Sequence, residues 1–242
     1  MPFLDNLDKM HRFEEELRQQ SIDLVKGDAD LFRQFRLIEL AMNVIYALSH
    51  DYETSDSQEQ TLQKLGIRIF NSIGSSVKLA LSGYYQVAFT NIRDVMETSF
   101  LLDAFSLDSG LIMAWATADN DTLKKKFGPG DVRKKLDRRD GCKDKKREAD
   151  YALLCRMATH PTNAGFLLLY KDGLGRTGPF LYEPVLKAWI EETMKVGCHA
   201  AINLNKHFPQ LPDHINNALK AFKHAGGDWV RENEAKLKAE VT

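Results

Sequence analysis

A chain of 242 residues, 43% hydrophobic and 28% charged, has the length and composition of one globular domain able to bury a sizeable core. Its formal net charge of −1 argues against a wholesale polyanion binder while leaving local patches open. No apolar run approaches the roughly 18 residues of a membrane span, and Cys142, Cys155 and Cys198 stand far apart without a CxxC pair, so a membrane protein, a disulfide framework and a structural zinc site are not expected.

The elements follow in chain order. Leu4, Leu7, Met10, Phe13 and Leu17 recur at helical spacing and predict an amphipathic first helix to about residue 25, on the surface or at a partner interface. Gly27 ends it, and Asp28 or Asp30 can cap a more apolar second helix running to about residue 50. A polar loop over 51–57 leads to a third helix over about 58–81. Ser82 and Gly83 break that helix, and a fourth follows over about 84–105. A fifth is expected over about 111–127, stopped by Gly128, Pro129 and Gly130. A very polar stretch then reaches Glu148, and a short helix over about 149–160 is halted by Pro161. Residues 165–182 carry a Gly-rich turn between apolar flanks and predict a small hairpin or an irregular loop. Two helices over about 183–206 and 212–238 complete the chain. With no βαβ alternation, the fold class is all-α: a single multi-helix bundle with its core over about 28–165 and the C-terminal helices at 183–238.

Two groups of side chains stand out. On the fourth helix, Asn91, Asp94 and Thr98 share one polar side, which puts Arg93 and Glu97 roughly opposite, among Phe89, Met96 and Phe100. A charge turned inward must be paired, so Arg93 and Glu97 are read either as a structural i,i+4 pair or as a pair that orients a reactive or ligand-binding group. On the short helix, Arg156 and His160 are four apart and share a face, while Tyr151, Leu154, Cys155 and Ala158 form another. A His at a helix C-terminus serves equally as a dipole cap or, facing Glu97 across the bundle, as a general acid/base.

The run from Leu79 through Gly83 and Ala88 to Arg93 and Glu97, with Tyr151 and His160 on a later short helix, resembles a family of HEPN-like helical proteins of bacteria. The resemblance covers roughly residues 60–165. It implies a helical bundle from toxin–antitoxin and phage-defence systems, many of whose members are metal-independent endoribonucleases that dimerise to build the active site. Carried over, Glu97 would be the acidic support, Arg156 the charge stabiliser and His160 the general acid/base. The family places four to six residues between its Arg and His. Here only Met157, Ala158 and Thr159 separate Arg156 from His160, and Arg93 is the alternative carrier of the signature Arg.

Between Lys124 and Glu148 twelve Lys or Arg face five Asp or Glu, a local excess of seven positive charges. Lys124, Lys125, Lys126, Arg133, Lys134, Lys135, Arg138 and Arg139 are the candidate phosphate contacts, with Phe127 as the segment's only aromatic for base stacking. Gly173, Gly175 and Gly178 match GxGxxG literally, but Pro179 follows where a helix should open, so a nucleotide fingerprint is rejected. No metal ligand pair and no cofactor motif is found, and the N-terminus, acidic from Asp5, carries no signal pattern, so a cytoplasmic location is expected. Two readings stand: a protein acting on RNA, as a metal-independent ribonuclease or a binder, or a non-catalytic module that meets a second copy or a protein partner.

Overall fold

In the computed structural model, the backbone is described for residues 2–240 and the side chains for residues 5–234. The element order is α1 (Pro2–Gly27), α2 (Ala29–Tyr46), α3 (Ser57–Leu81), α4 (Tyr85–Phe105), α5 (Gly110–Ala116), α6 (Asn120–Lys126), α7 (Pro129–Asp140), α8 (Lys146–Leu154), the strands β1 (Tyr170–Lys171) and β2 (Leu174–Gly175), then α9 (Glu183–Asn205) and α10 (Asp213–Glu240). The chain is an all-α bundle, and no helix among the described residues is long and apolar enough to cross a membrane.

Side-chain caps set several boundaries. Asp28 accepts from the Asp30 and Leu31 amides at 3.0 and 3.1 Å, Asp56 from Gln58 and Glu59 at 2.8 and 2.9 Å, and Asp119 from Thr122 at 2.8 Å. The last of these explains one departure from the sequence reading. A cap at Asp119 starts a new helix, so the single helix expected over 111–127 is two, α5 and α6. A second departure concerns Gly128, Pro129 and Gly130. They do not introduce an irregular stretch: Pro129 occupies the first turn of α7, where its missing N–H costs nothing, and Gly141 ends that helix in the left-handed region.

Helix α4 lies at the centre, packed between α3 and α9, with α7 and α8 on a further side. This surround explains why Thr98, assigned by spacing to a polar side, is buried; its hydroxyl donates back to the Asp94 carbonyl at 2.9 Å. Trp189 of α9 donates through Nε1 to Ser76 Oγ at 3.0 Å, and Ser76 donates to the Ala88 carbonyl at 2.8 Å, tying α9, α3 and α4 together. The main apolar cluster runs from Val25 to Phe222 and takes Leu186, Trp189, Ile190 and Met194 from α9. The core therefore extends past the boundary expected near residue 165.

Helix α1 is buried along Leu17, Ser21 and Val25, whereas Met10 and Phe13 are exposed; Leu4 of the predicted stripe lies outside the described side chains. Two segments wind as π-turns, Ala47–Asp51 after α2 and Cys155–Thr159 after α8. The 165–182 segment holds a short 3₁₀ turn and a two-residue antiparallel hairpin, Tyr170 opposite Gly175. Gly83 joins α3 to α4 at φ 88°, and a Cβ there would stand 2.6 Å from the Phe180 backbone.

Candidate functional site

Arg93 and Glu97 stand one turn apart on α4, and their side chains meet at 2.6 Å, Nη2 to Oε2. They are half-buried, 24% and 34% exposed, so the pair is reachable from solvent where the sequence placed it inward. Its third member comes from α8. Arg93 donates through Nη2 to the Tyr151 hydroxyl, and that hydroxyl donates to Glu97 Oε2 at 3.2 Å. The Arg93 guanidinium also lies 5.1 Å from the Tyr151 ring centre. Burial works against the charge on Arg93, yet the Tyr151 hydroxyl and the Glu97 charge outweigh it and hold the guanidinium above its usual pKa. Burial likewise raises the Tyr151 phenol; Arg93 opposes that rise and Glu97 reinforces it, so the phenol stays neutral at physiological pH.

His160 does not join this group. The Ala158 carbonyl accepts from Gln86 Nε2 at 2.5 Å and from Thr90 Oγ1 at 3.1 Å, while Tyr151 reaches Arg93 and Glu97. Helix α8 and its π-turn thus run antiparallel to α4, and residues after Ala158 pass toward the start of α4. Glu97 lies seven residues beyond Thr90, about 10 Å of helical rise. The π-turn ends in extended backbone at His160, whose N–H closes on the Cys155 carbonyl at 2.9 Å. Arg156 and His160 are both exposed and do not share a regular helix face, because a π-turn and an extended residue replace the expected last α-turn. Where the sequence offered His160 as the partner of Glu97, the structure supplies Tyr151.

The basic segment divides. Lys124, Lys125, Lys126, Lys134 and Arg138 are exposed on α6 and α7, without an ion pair among the described residues. Lys135 donates to the Lys126 carbonyl at 2.9 Å and lies 5.5 Å from the Phe127 ring centre. Arg139 is consumed by structure: it grips Asp103 with two bonds of 2.9 and 2.8 Å and also holds Asp140. Arg133 is the unusual one. Half-buried, it stacks 4.1 Å from the Tyr151 ring centre on α8, and among the described residues it has no carboxylate partner and its buried Nη1 has no hydrogen bond. Tyr151 is thus shared by Arg133 from the basic helix and by the Arg93–Glu97 pair.

Beside Glu97, on its α3 and α5–α7 side, opens a cleft of about 290 Å³. Arg68 of α3 and Asp94 of α4 line it and pair at 2.5 Å, with Ser72 donating to Asp94 at 2.9 Å, and Trp115 and Phe127 form much of its apolar wall. Spacing alone did not single out Arg68, Trp115 or Phe127 as neighbours of Glu97, since α3 brings the first through its packing on α4, α5 the second, and the end of α6 the third. Among the described residues no three His, Cys, Asp or Glu side chains converge as a metal site would require. Comparisons with protein-family models, with curated proteins and with solved structures give no match for this chain, and the HEPN-like resemblance rests on the residues quoted for it.

Proposed function

We propose that the protein binds single-stranded RNA, laying the phosphate backbone on the exposed lysines and Arg138 of α6–α7 and using the Tyr151-centred cluster as the anchor at the end of that face. The observation that carries this reading is Arg133. A half-buried guanidinium that stacks on an aromatic ring and meets no carboxylate among the described residues carries an unneutralised charge, and a phosphate oxygen reaching its exposed edge would neutralise it. Metal-free cleavage is the activity to test on the bound strand. His160 is the candidate for moving the 2′-hydroxyl proton, and Arg156, also exposed, the candidate for steadying charge on the phosphate.

The test is fluorescence anisotropy with single-stranded RNA in chelator over a salt series, followed by gel analysis of the same mixtures. Lys134→Glu with Arg138→Glu should weaken binding and lower the salt slope by about 0.7 for each phosphate no longer engaged. Wild-type cleavage that His160→Ala abolishes supports the catalytic part; equal cleavage by both removes it. Absence of salt-dependent RNA binding removes the whole reading. A second reading, a module for a protein partner or a second copy, is favoured by one observation: Leu167 and Leu174 near the hairpin are 64% and 62% exposed, and Phe166 and Tyr170 are exposed beside them. Leu167→Asp with Leu174→Asp changing the assembly state, and no RNA bound, would establish it.

A further inference from the structure

The cleft beside Glu97 has the chemistry of a nucleobase slot. Its apolar lining includes three aromatic side chains, Phe100, Trp115 and Phe127, each only partly buried and so available to a flat ligand. At about 290 Å³ it lies just under the roughly 300 Å³ at which pockets for drug-sized ligands begin, suiting a small ring system rather than a peptide segment.

The polar edge is selective. Asp94 is already engaged, since both its oxygens accept from Arg68 and one accepts from Ser72. Glu97 is different. Arg93 and Tyr151 both approach Oε2, leaving Oε1 without a hydrogen bond among the described residues, and that oxygen is not a sealed atom. A carboxylate oxygen is acceptor-only, so its fitting partner is a ligand N–H rather than a carbonyl. Adenine, cytosine and guanine offer an exocyclic amino group; uracil has only its ring N3–H, flanked by two carbonyl oxygens that repel a carboxylate, and so is the poorer partner.

The rim completes the ligand. Phe127 closes α6 directly after Lys124, Lys125 and Lys126, and the Lys135 ammonium lies over the Phe127 ring. A base lodged against Phe127 therefore carries its phosphate toward four lysines. We infer that this cleft is a binding site for an amino-bearing nucleobase, stacked on Phe127 and Trp115 and hydrogen-bonded to Glu97 Oε1, with its phosphate on the α6–α7 lysines. The inference deepens the RNA-binding reading and shares its lysines, but it concerns a base contact that backbone binding does not need.

The source of the base is a free nucleotide or a strand, and calorimetry with two ligand sets separates them: AMP, CMP and UMP, then short single-stranded oligo(A), oligo(C) and oligo(U). Two variants probe the cleft. Phe127→Ala removes a stacking wall, and Leu101→Trp fills the space from a half-buried lining position; circular dichroism melting checks that each remains folded. Expected is a preference of about tenfold or more for the amino-bearing base over uracil, in either ligand set, with both folded variants losing about tenfold on the preferred ligand. Binding by mononucleotides at full strength identifies a free nucleotide; binding that needs the oligomer identifies RNA. Equal affinity for uracil and amino-bearing ligands, affinity undisturbed in the folded variants, or no binding of either set overturns the cleft. Salt-dependent RNA binding that persists through such a result leaves the phosphate face standing. Loss of that salt dependence removes the face, while the mononucleotide series still judges the cleft.

Discussion

Tyr151 is held from three directions: Arg93 donates to its hydroxyl, the hydroxyl donates to Glu97, and Arg133 covers its ring. Replacing it by Phe keeps the ring and the stacked arginine but removes two charge-assisted hydrogen bonds. Tyr151→Phe should therefore destabilise the fold by about 1–3 kcal/mol, read as a lower urea midpoint with an unchanged slope. An unchanged midpoint would mean that Arg93 and Glu97 are self-sufficient and the phenol is incidental. The sequence carried half of this arrangement. Tyr151, Leu154, Cys155 and Ala158 share a helical phase, and Leu154 and Ala158 are indeed buried against the bundle, so the phenol travels inward with them. Period alone does not say which residue of α4 that phase meets. The antiparallel docking of α8, fixed by Gln86 and Thr90 on the Ala158 carbonyl, chooses Tyr151 over His160 for Glu97.

Helix α7 shows how a charged segment becomes an element. Only Val132 and Leu136 are buried on it, one turn apart, and its other side chains are mostly charged, so by composition it reads as a polar stretch. What fixes it is an alternating network. Asp103 of α4 accepts from Arg139 of α7 and from Lys206 just past α9, the latter at 2.9 Å, while Arg147 of α8 bridges Asp137 at 2.7 Å and Asp140. Such cross-helix pairs have no sequence period, which is why the helix was not legible. Burial presses the Asp103 carboxyl upward, but Arg139 and Lys206 prevail and hold it below the usual carboxylate range, and Arg139 and Arg147 together hold Asp140 down at about 2. The sign follows from linkage. As pH falls below about 4, the unfolded chain takes up these protons before the folded one does, so the network's stabilisation is complete near neutrality and is lost toward pH 2. Asp103→Asn should cost about 3 kcal/mol at pH 7, the low end for a broken buried pair because Arg139 and Lys206 can turn to solvent. It should cost progressively less in acid. Parallel stability–pH curves for wild type and variant, measured by denaturant titration from pH 7 to pH 2, would show instead that Asp103 is electrostatically silent.

At the scale of the molecule, the bundle is organised around α4 with α3 and α9 as its walls, and both the Arg93–Glu97–Tyr151 cluster and the cleft beside Glu97 are built on that centre. The α-helical class was legible because the apolar periods of α2, α3 and α4 are long and the caps at Asp28 and Gly83 stand in the sequence. The position of α9 was not, since its apolar residues fit equally a helix laid on a finished core and one that completes it. The structure decides through Trp189 and Ile190, which are wholly enclosed, and through the Trp189–Ser76–Ala88 chain that reaches α3 and α4. Leu186, Trp189, Ile190, Met194 and Leu204 are each at most 2% exposed. At about 1.5–3 kcal/mol for each such side chain, they contribute on the order of 10 kcal/mol of burial, as much as the whole net stability of a domain, about 5–15 kcal/mol. A chain ending at residue 165 should therefore lack a cooperative urea transition and expose the α3–α4 groove to a hydrophobic dye. A sharp transition in that fragment would place α9 outside the folding unit. Restoring 166–242 as a separate segment should return the transition, because what the fragment lacks is a packed surface rather than chain continuity.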